Sequence, residues 1–333
     1  MSRQKRMEII RQIADLRGSA VLCYITGDRE NVNTRIAPDV TQVFYRHLEL
    51  FRERDQKEQK QIDLFLYTRG GDVLTPWRLV HLIREYTARF TVIVPFRCYS
   101  AGTLLCLGAD EIIMGKMGEL GPIDPSVVNA FNPQDPNNPA ARIPVNIEDV
   151  YSYLALAGEK AGVCSSDQQV KAFTLLAERI HPLALGNVHR NYLLIRSLAK
   201  KLLAMHQQPM REGRSEHIVD NLTEKLYAHS HMISRREAAE EITLNVLFPE
   251  LKLESLIWAL YQDYAEDMSL ADPFNPAEQL CGTRTDFEVT SGIVESLYGL
   301  DTFVFAGVVE RKEFPEPGKV NVNILKQGWR TIS

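Results

Sequence analysis

The chain has 333 residues with a net charge of -5, 45% hydrophobic and 24% charged residues, enough to bury a full core in one large domain or one domain plus an appendage. Its charges are interspersed, with no extended basic stretch, which argues against nucleic acid as a partner. No run reaches the roughly 18 apolar residues of a membrane helix, so no integral membrane segment is expected.

The N-terminus, MSRQKRMEIIRQIADLRG, carries charge throughout and reads as an amphipathic helix with Met7, Ile9, Ile10, Ile13 and Leu16 apolar, not as a signal peptide. Ser19 to Thr26 is a strand of the continuously apolar kind that suits a sheet covered on both faces. A polar turn, GDRENVNTRI, precedes a helix predicted over Ala37 to Phe51, and the charged stretch Arg52 to Lys60 leads to a strand from Ile62 to Tyr67. Next come Thr68-Arg69-Gly70-Gly71-Asp72, a helix from about Leu74 to Arg89, an apolar strand from Thr91 to Pro95, a helix after Ser100, and a short strand at Glu111 to Met114. Strand, turn and helix repeating without hairpin signals predict parallel strands joined by right-handed helical crossovers.

Gly115 to Asp124 is a structured Gly/Pro-rich loop, and Phe131 to Pro144 reads as an exposed one. Long helical patterns follow over Ile147 to Ala161, Ser166 to Ile180, Asn187 to Gln207, Glu216 to Tyr227, Ser234 to Thr243 and Leu253 to Met268. Beyond Pro276 the pattern turns to strands at Phe287 to Leu297, Asp301 to Glu310 and Val320 to Leu325. The expected organisation is a main domain over 1–250, with a helical extension at about 147–210, and a C-terminal helix with a β-rich extension over 251–333. Five cysteines (Cys23, Cys98, Cys106, Cys164, Cys281) are odd in number, widely spaced and mostly in apolar surroundings. They read as reduced thiols of a cytoplasmic protein, with no zinc spacing.

Two βα junctions carry the candidate chemistry. Ser100 sits where a strand turns into a helix, a place that holds the hydroxyl clear of the strand and surrounds it with helix amides lacking an internal partner. That suits a nucleophile in acyl transfer, and it equally suits an ordinary N-cap. Gly70-Gly71, at the preceding junction, allows a backbone with exposed amides, as an oxyanion hole requires, or simply a tight turn. Parallel neighbouring strands would bring both junctions to one end of the sheet.

These residues resemble the serine dehydrogenase proteinase family, related to signal peptide peptidase A within the Clp protease/crotonase superfamily. The resemblance is carried by Thr68 to Asp72, Tyr99-Ser100-Ala101-Gly102-Thr103, Leu107 to Ile112 and Leu120 to Pro125, and it spans roughly Ala20 to Thr243. It implies an α/β fold with a mostly parallel sheet and helical crossovers; the helical arm and the small C-terminal β-rich extension are read from the residue patterns, and the strands from Phe287 to Leu325 lie outside the resemblance. It further implies a serine-type endopeptidase, acting on peptides or unfolded proteins without a cofactor and assembling as a homo-oligomer. By position, Ser100 is the implied nucleophile and the amides of Gly71 and Ala101, shaped by Gly70, the implied oxyanion hole.

The general base stays open. Relatives of the signal peptide peptidase type use a lysine some tens of residues after the serine; Lys160 falls in that interval, ahead of Lys171 and Lys116. Clp-type proteases place a histidine near Ile123-Asp124, so Asp124 departs from their triad. His229 and His231, two apart, are further candidates, or structural residues before a helix whose start, Ser234 with Glu237, has the capping-box pattern. Two other readings stand beside the peptidase: a catalytically silent scaffold or recognition module that binds a protein partner, and an acyl-CoA enzyme of the crotonase type.

Overall fold

Strands buried on both faces need no polar alternation, and the segments 20–26, 61–67 and 89–94 bury nearly every side chain. The computed structural model describes residues 3–55, 60–123, 126–163, 165–224, 230–311 and 320–332. Helix α1 (Arg3–Arg17) leads into β1 (Ala20–Thr26), followed by a small ribbon of β2 (Asp28–Arg29) and β3 (Val32–Asn33). The alternation continues through α2 (Val40–Asp55), β4 (Gln61–Tyr67), α3 (Thr75–Arg84), β5 (Arg89–Val94), β6 (Arg97–Cys98), α4 (Ala101–Leu107) and β7 (Glu111–Met114).

Short pieces β8 (Glu119–Leu120), β9 (Ser126–Val127) and β10 (Val145–Asn146) precede an arm of α5 (Ile147–Ala155), a π-turn (Leu156–Lys160), α6 (Ser166–Arg179) and α7 (Pro182–Leu203). Then come α8 (Arg214–Glu224), β11 (Ile233–Ser234), α9 (Arg235–Glu240), β12 (Val246–Leu247) and α10 (Leu251–Asp267). Three long strands close the order: β13 (Arg284–Ser296), β14 (Gly299–Arg311) and β15 (Val320–Ile332).

The main sheet runs β12-β7-β5-β4-β1-β13-β14-β15. From β12 to β1 every pairing is parallel, while β13 joins β1 antiparallel and continues into an antiparallel meander. The expected α/β architecture, with its parallel sheet, helical crossovers, arm and C-terminal β-rich extension, is what forms, and the extension adds its strands to the same sheet.

Side-chain parity divides the core. Leu22, Tyr24, Leu64, Leu66, Val92 and Val94 face α2, α3 and α4, with α7 and α8 behind them. Val21, Cys23, Ile25, Phe65, Tyr67 and Ile93 face α1 and α10. The arm has its own small core of Val145, Ile147, Val150, Leu185, Val188 and Tyr192. The second half of α7, through Ile195, Ala199 and Leu202, packs into the main core, so this helix is the strut that carries the arm.

Some boundaries differ from expectation for identifiable reasons. Helix α7 starts at Pro182, not Asn187: a proline loses nothing in the first helical turn, and His181 Nδ1 accepts a hydrogen bond from the Leu183 amide at 3.1 Å. Strand β15 runs to Ile332, because pairing with β14 carries it through the polar Lys326-Gln327-Gly328. Among the described residues no helix is long and apolar enough to cross a membrane.

Two polar clusters pin the sheet's outer layers. Arg6 of α1, buried, donates from Nε to Glu295 Oε2 at 2.8 Å and from Nη1 to Asp263 and Asp267 at 3.1 and 2.9 Å. Burial works against its charge, and Glu295, Tyr264 and Asp267 outweigh that, so its pKa is raised. On the other face, Asp301 accepts from Thr331 Oγ1 at 2.7 Å, from Arg46, and lies 3.0 Å from His47 Nε2.

Burial would raise the Asp301 carboxyl, but the bonds from His47, Arg46 and Thr331 prevail and hold it at about 2. A carboxyl lowered in the folded state stabilises above its unfolded pKa, and that contribution is lost as pH falls through the folded one. Urea unfolding of the wild type and Asp301→Asn should therefore show a stability gap that is constant above about pH 4 and narrows from there toward pH 2. A gap independent of pH would contradict this role for Asp301.

Candidate active site

The turn from β6 into α4 puts Ser100 at φ 52°, ψ -111°, a conformation that costs a non-glycine residue about 1–3 kcal/mol. Its side chain makes no capping hydrogen bond, so the N-cap explanation of this serine fails. The helix start is held by other means. Gly102 N donates to Tyr99 O at 2.8 Å, and Leu104 N to Ser100 O at 3.0 Å. Thr103 Oγ1 lies 3.0 Å from Cys98 O and donates to Gly121 O at 2.8 Å while accepting from Gly121 N at 3.3 Å. Ser100 is held above the sheet's carboxyl edge by bonds from its neighbours, and its own hydroxyl has no partner among the described residues.

The Gly70-Gly71 turn lies directly against it. A Cβ on Gly70, whose φ is 95°, would stand 2.8 Å from Tyr99 O, 2.9 Å from Ser100 Cβ and 3.2 Å from Ala101 N. On Gly71 it would stand 2.1 Å from Ile36 O. Both glycines are required by this close approach. Ile36 fixes the turn from behind, donating its amide to Gly70 O at 2.9 Å and accepting from Asp72 N at 2.8 Å.

Thr68 joins the two junctions: its carbonyl accepts from Tyr99 N at 3.1 Å, and its hydroxyl accepts from Gly70 N at 2.9 Å and from Thr26 Oγ1 at 2.7 Å. The amides of Gly71 and Ala101 have no hydrogen-bond partner among the described residues. Two unsatisfied amides beside an uncommitted hydroxyl can hold a carbonyl oxygen as it gains negative charge.

The comparisons agree with this geometry. The family model described as ClpP-like SDH-type serine proteinase matches residues 1–161, which include both junctions. Over this segment, just under half of the chain, the sequence is similar to that family. Two uncharacterized proteins of Methanocaldococcus jannaschii are similar to it. One is 34% identical over 130 residues (37% of this chain, 42% of the relative), the other 33% identical over 124 residues (37% and 43%). The chain thus spans about two fifths of the length of these curated relatives. A solved mutant of a membrane-bound stomatin-specific protease aligns over 66% of this chain and 77% of its own, at 17% identity and a TM-score of 0.38, a likeness that carries no argument here.

Of the residues expected in a site of this family, Gly70, Gly71, Ser100 and Ala101 come together. Lys160 closes the π-turn of the arm with its side chain exposed. His231 is in another partnership: its Nε2 lies 2.7 Å from Glu237 Oε1. That engages the Glu237 carboxylate, so the capping box is half formed, with Ser234 Oγ accepting from Glu237 N at 3.2 Å. Asp124 and His229 lie outside the described residues. Among the described residues no side chain hydrogen-bonds the Ser100 hydroxyl, and no group of three His, Cys, Asp or Glu is arranged to hold a metal.

Cys98 is a core thiol, with its Sγ 3.6 Å from that of Cys106; burial, then Cys106, pushes its pKa up and keeps it inert. The sequence pattern includes Thr68 and Thr103 in its motifs but assigns no role to them or to Ile36. The first two follow or precede the motif glycines and serine by short intervals, and a threonine among apolar neighbours at a helix start was the available signal. Ile36, an apolar residue in a polar turn, carried a weaker one.

Thr103→Val keeps the shape and removes the hydroxyl, leaving buried backbone groups of Cys98 and Gly121 without a partner. We expect a loss of about 1–3 kcal/mol in chemical denaturation. A change below about 0.5 kcal/mol would show that the Thr103 bonds do not hold the turn.

Proposed function

We propose that this protein is a serine peptidase that cleaves peptide bonds through an acyl-enzyme on Ser100. The observation carrying the reading is the strained, uncapped serine in contact with a glycine turn whose Gly71 amide has no partner among the described residues, in a segment similar to ClpP-like serine proteinases. Ser100 Oγ attacks the substrate carbonyl and gives up its proton; the oxyanion is held by the amides of Gly71 and Ala101. Collapse of the tetrahedral species releases the amine with a proton. Water then attacks the ester and regenerates the hydroxyl.

The proton acceptor is the open part of the proposal. Lys160 of the arm is the lysine candidate, which would act only with a lowered pKa. Asp124, His229 and His231 are the others, and His231 would first have to leave Glu237. We propose a cytoplasmic homo-oligomer with the arm as a contact. Helix α6 buries none of its side chains, and Val170 and Phe173 line an open groove of about 560 Å³ with Leu154, Ala157 and Val163. An acyl-CoA enzyme has less in its favour, since such chemistry seldom needs the serine.

The unpartnered Ser100 hydroxyl favours one rival, a recognition module without hydrolysis. A serine-reactive fluorophosphonate separates the two. The wild type should be labelled at Ser100 and should turn over unstructured peptides. Ser100→Ala should lose the label and at least about 10³-fold in kcat, with unchanged thermal unfolding. Labelling that persists in Ser100→Ala would overturn the assignment. A wild type that neither labels nor hydrolyses would leave the recognition module.

A further inference from the structure

The turn that presents the free amides is bracketed by two arginines that the peptidase mechanism does not use. Arg69 directly precedes Gly70, and its side chain is 56% exposed, with only its Nε near a carboxylate, 3.1 Å from Asp28 Oδ2. Asp28 is already claimed: Tyr67 donates to its Oδ1 at 2.7 Å and Arg97 Nη1 to its Oδ2 at 2.8 Å. The next carboxylate, Glu119, accepts from Tyr99 at 2.5 Å and lies 3.6 Å from Arg97 Nε. Asp72, on the far side of the glycines, is taken by the Thr75 amide and hydroxyl at 2.8 and 2.7 Å.

The outer nitrogens of Arg69 thus have no bond among the described residues, and Asp28, Glu119 and Asp72 each have donors of their own. Arg35 adds to this. It is exposed, forms no ion pair among the described residues, and precedes Ile36, whose backbone is bonded to both sides of the Gly70-Gly71 turn.

A guanidinium with its terminal nitrogens free presents a planar fork that matches a carboxylate. Asp28 holds the stem of that fork from behind, which reduces the side-chain entropy lost when a ligand binds.

We infer that Arg69 forms a carboxylate-recognising subsite next to the amide turn, and that the preferred substrates are peptides bearing a carboxylate close to the scissile bond. The inference deepens the peptidase reading and rests on it for the word substrate. The carboxylate belongs either to an Asp or Glu side chain or to a free C-terminus.

The test uses the full chain carrying Ser100→Ala, so that binding is read without turnover. Fluorescent peptides share one neutral core with blocked ends; one set scans Glu through positions on either side of the centre, and another leaves only the C-terminal carboxylate free. Anisotropy should show at least one carboxylate peptide bound about five- to tenfold more tightly than the neutral core. Which set it comes from identifies the source. The preference should fall below about twofold on adding Arg69→Ala, persist in part with Arg69→Lys, which keeps charge and loses the fork, and weaken in high salt.

Equal affinity across the peptides, absence of binding by all of them, or a preference that survives Arg69→Ala each overturns the subsite. Turnover of the same peptides by the protein with Ser100 intact is measured alongside. A preference without turnover removes the peptidase reading and keeps the subsite. Turnover without a preference does the reverse.

Discussion

The contact between Gly70 and Ser100 is the constraint on which the rest of the candidate site depends. Two βα turns meet there at backbone distance, and neither glycine could gain a methyl group without striking main-chain atoms of Tyr99, Ala101 or Ile36. The meeting is prepared by the sheet. Strands β4 and β5 are parallel neighbours in register from Gln61 opposite Arg89, so the turns that follow them emerge at the same edge and height. The Thr68 carbonyl and hydroxyl then tie one turn to the other. Once this frame is fixed, the unfavourable backbone angles of Ser100 can persist, because the surrounding bonds over-determine them.

Much of this was legible in the sequence, and for specific reasons. The continuous apolar runs at 20–26 and 62–67 announce strands covered on both faces, since β1 and β4 put alternate side chains into two separate cores. The consecutive glycines and the serine, each between a strand and a helix, marked the two junctions. What the sequence did not carry was the difference between a serine that caps and one that does not. Both uses need the same residue at the same place, and only the φ of Ser100 and its free hydroxyl separate them.

Histidine 231 was ambiguous for a similar reason. A carboxylate six residues later, Glu237, has two competing uses, a reciprocal cap and an imidazole partner, and packing rather than spacing selects the second. Helix α7 hid its first turn behind Pro182 and Gly186, residues that usually end helices and here begin one. The C-terminal strands were recognisable as strands from their alternation, but nothing local said which neighbour they would choose. Their partner, β1, lies more than 250 residues earlier in the chain.

That long-range pairing has a consequence for how the molecule is made. The back of the sheet is closed by α1 against α10, the free edge of β1 is taken by β13, and Arg6 bonds Glu295 across a separation of 289 residues. During synthesis from the N-terminus, the parallel strands that carry both turns emerge long before the elements that cover their second face. Val21, Cys23, Ile25, Phe65 and Tyr67 have α1 against them from the start but lack the cover of α10 until it leaves the ribosome. Closing so long a loop is slow compared with local helix formation. The nascent chain therefore spends most of its synthesis as a half-covered sheet, a state in which a chaperone would find its hydrophobic face, and the edge that carries both turns gains its full support only once α10 and β13 have been added.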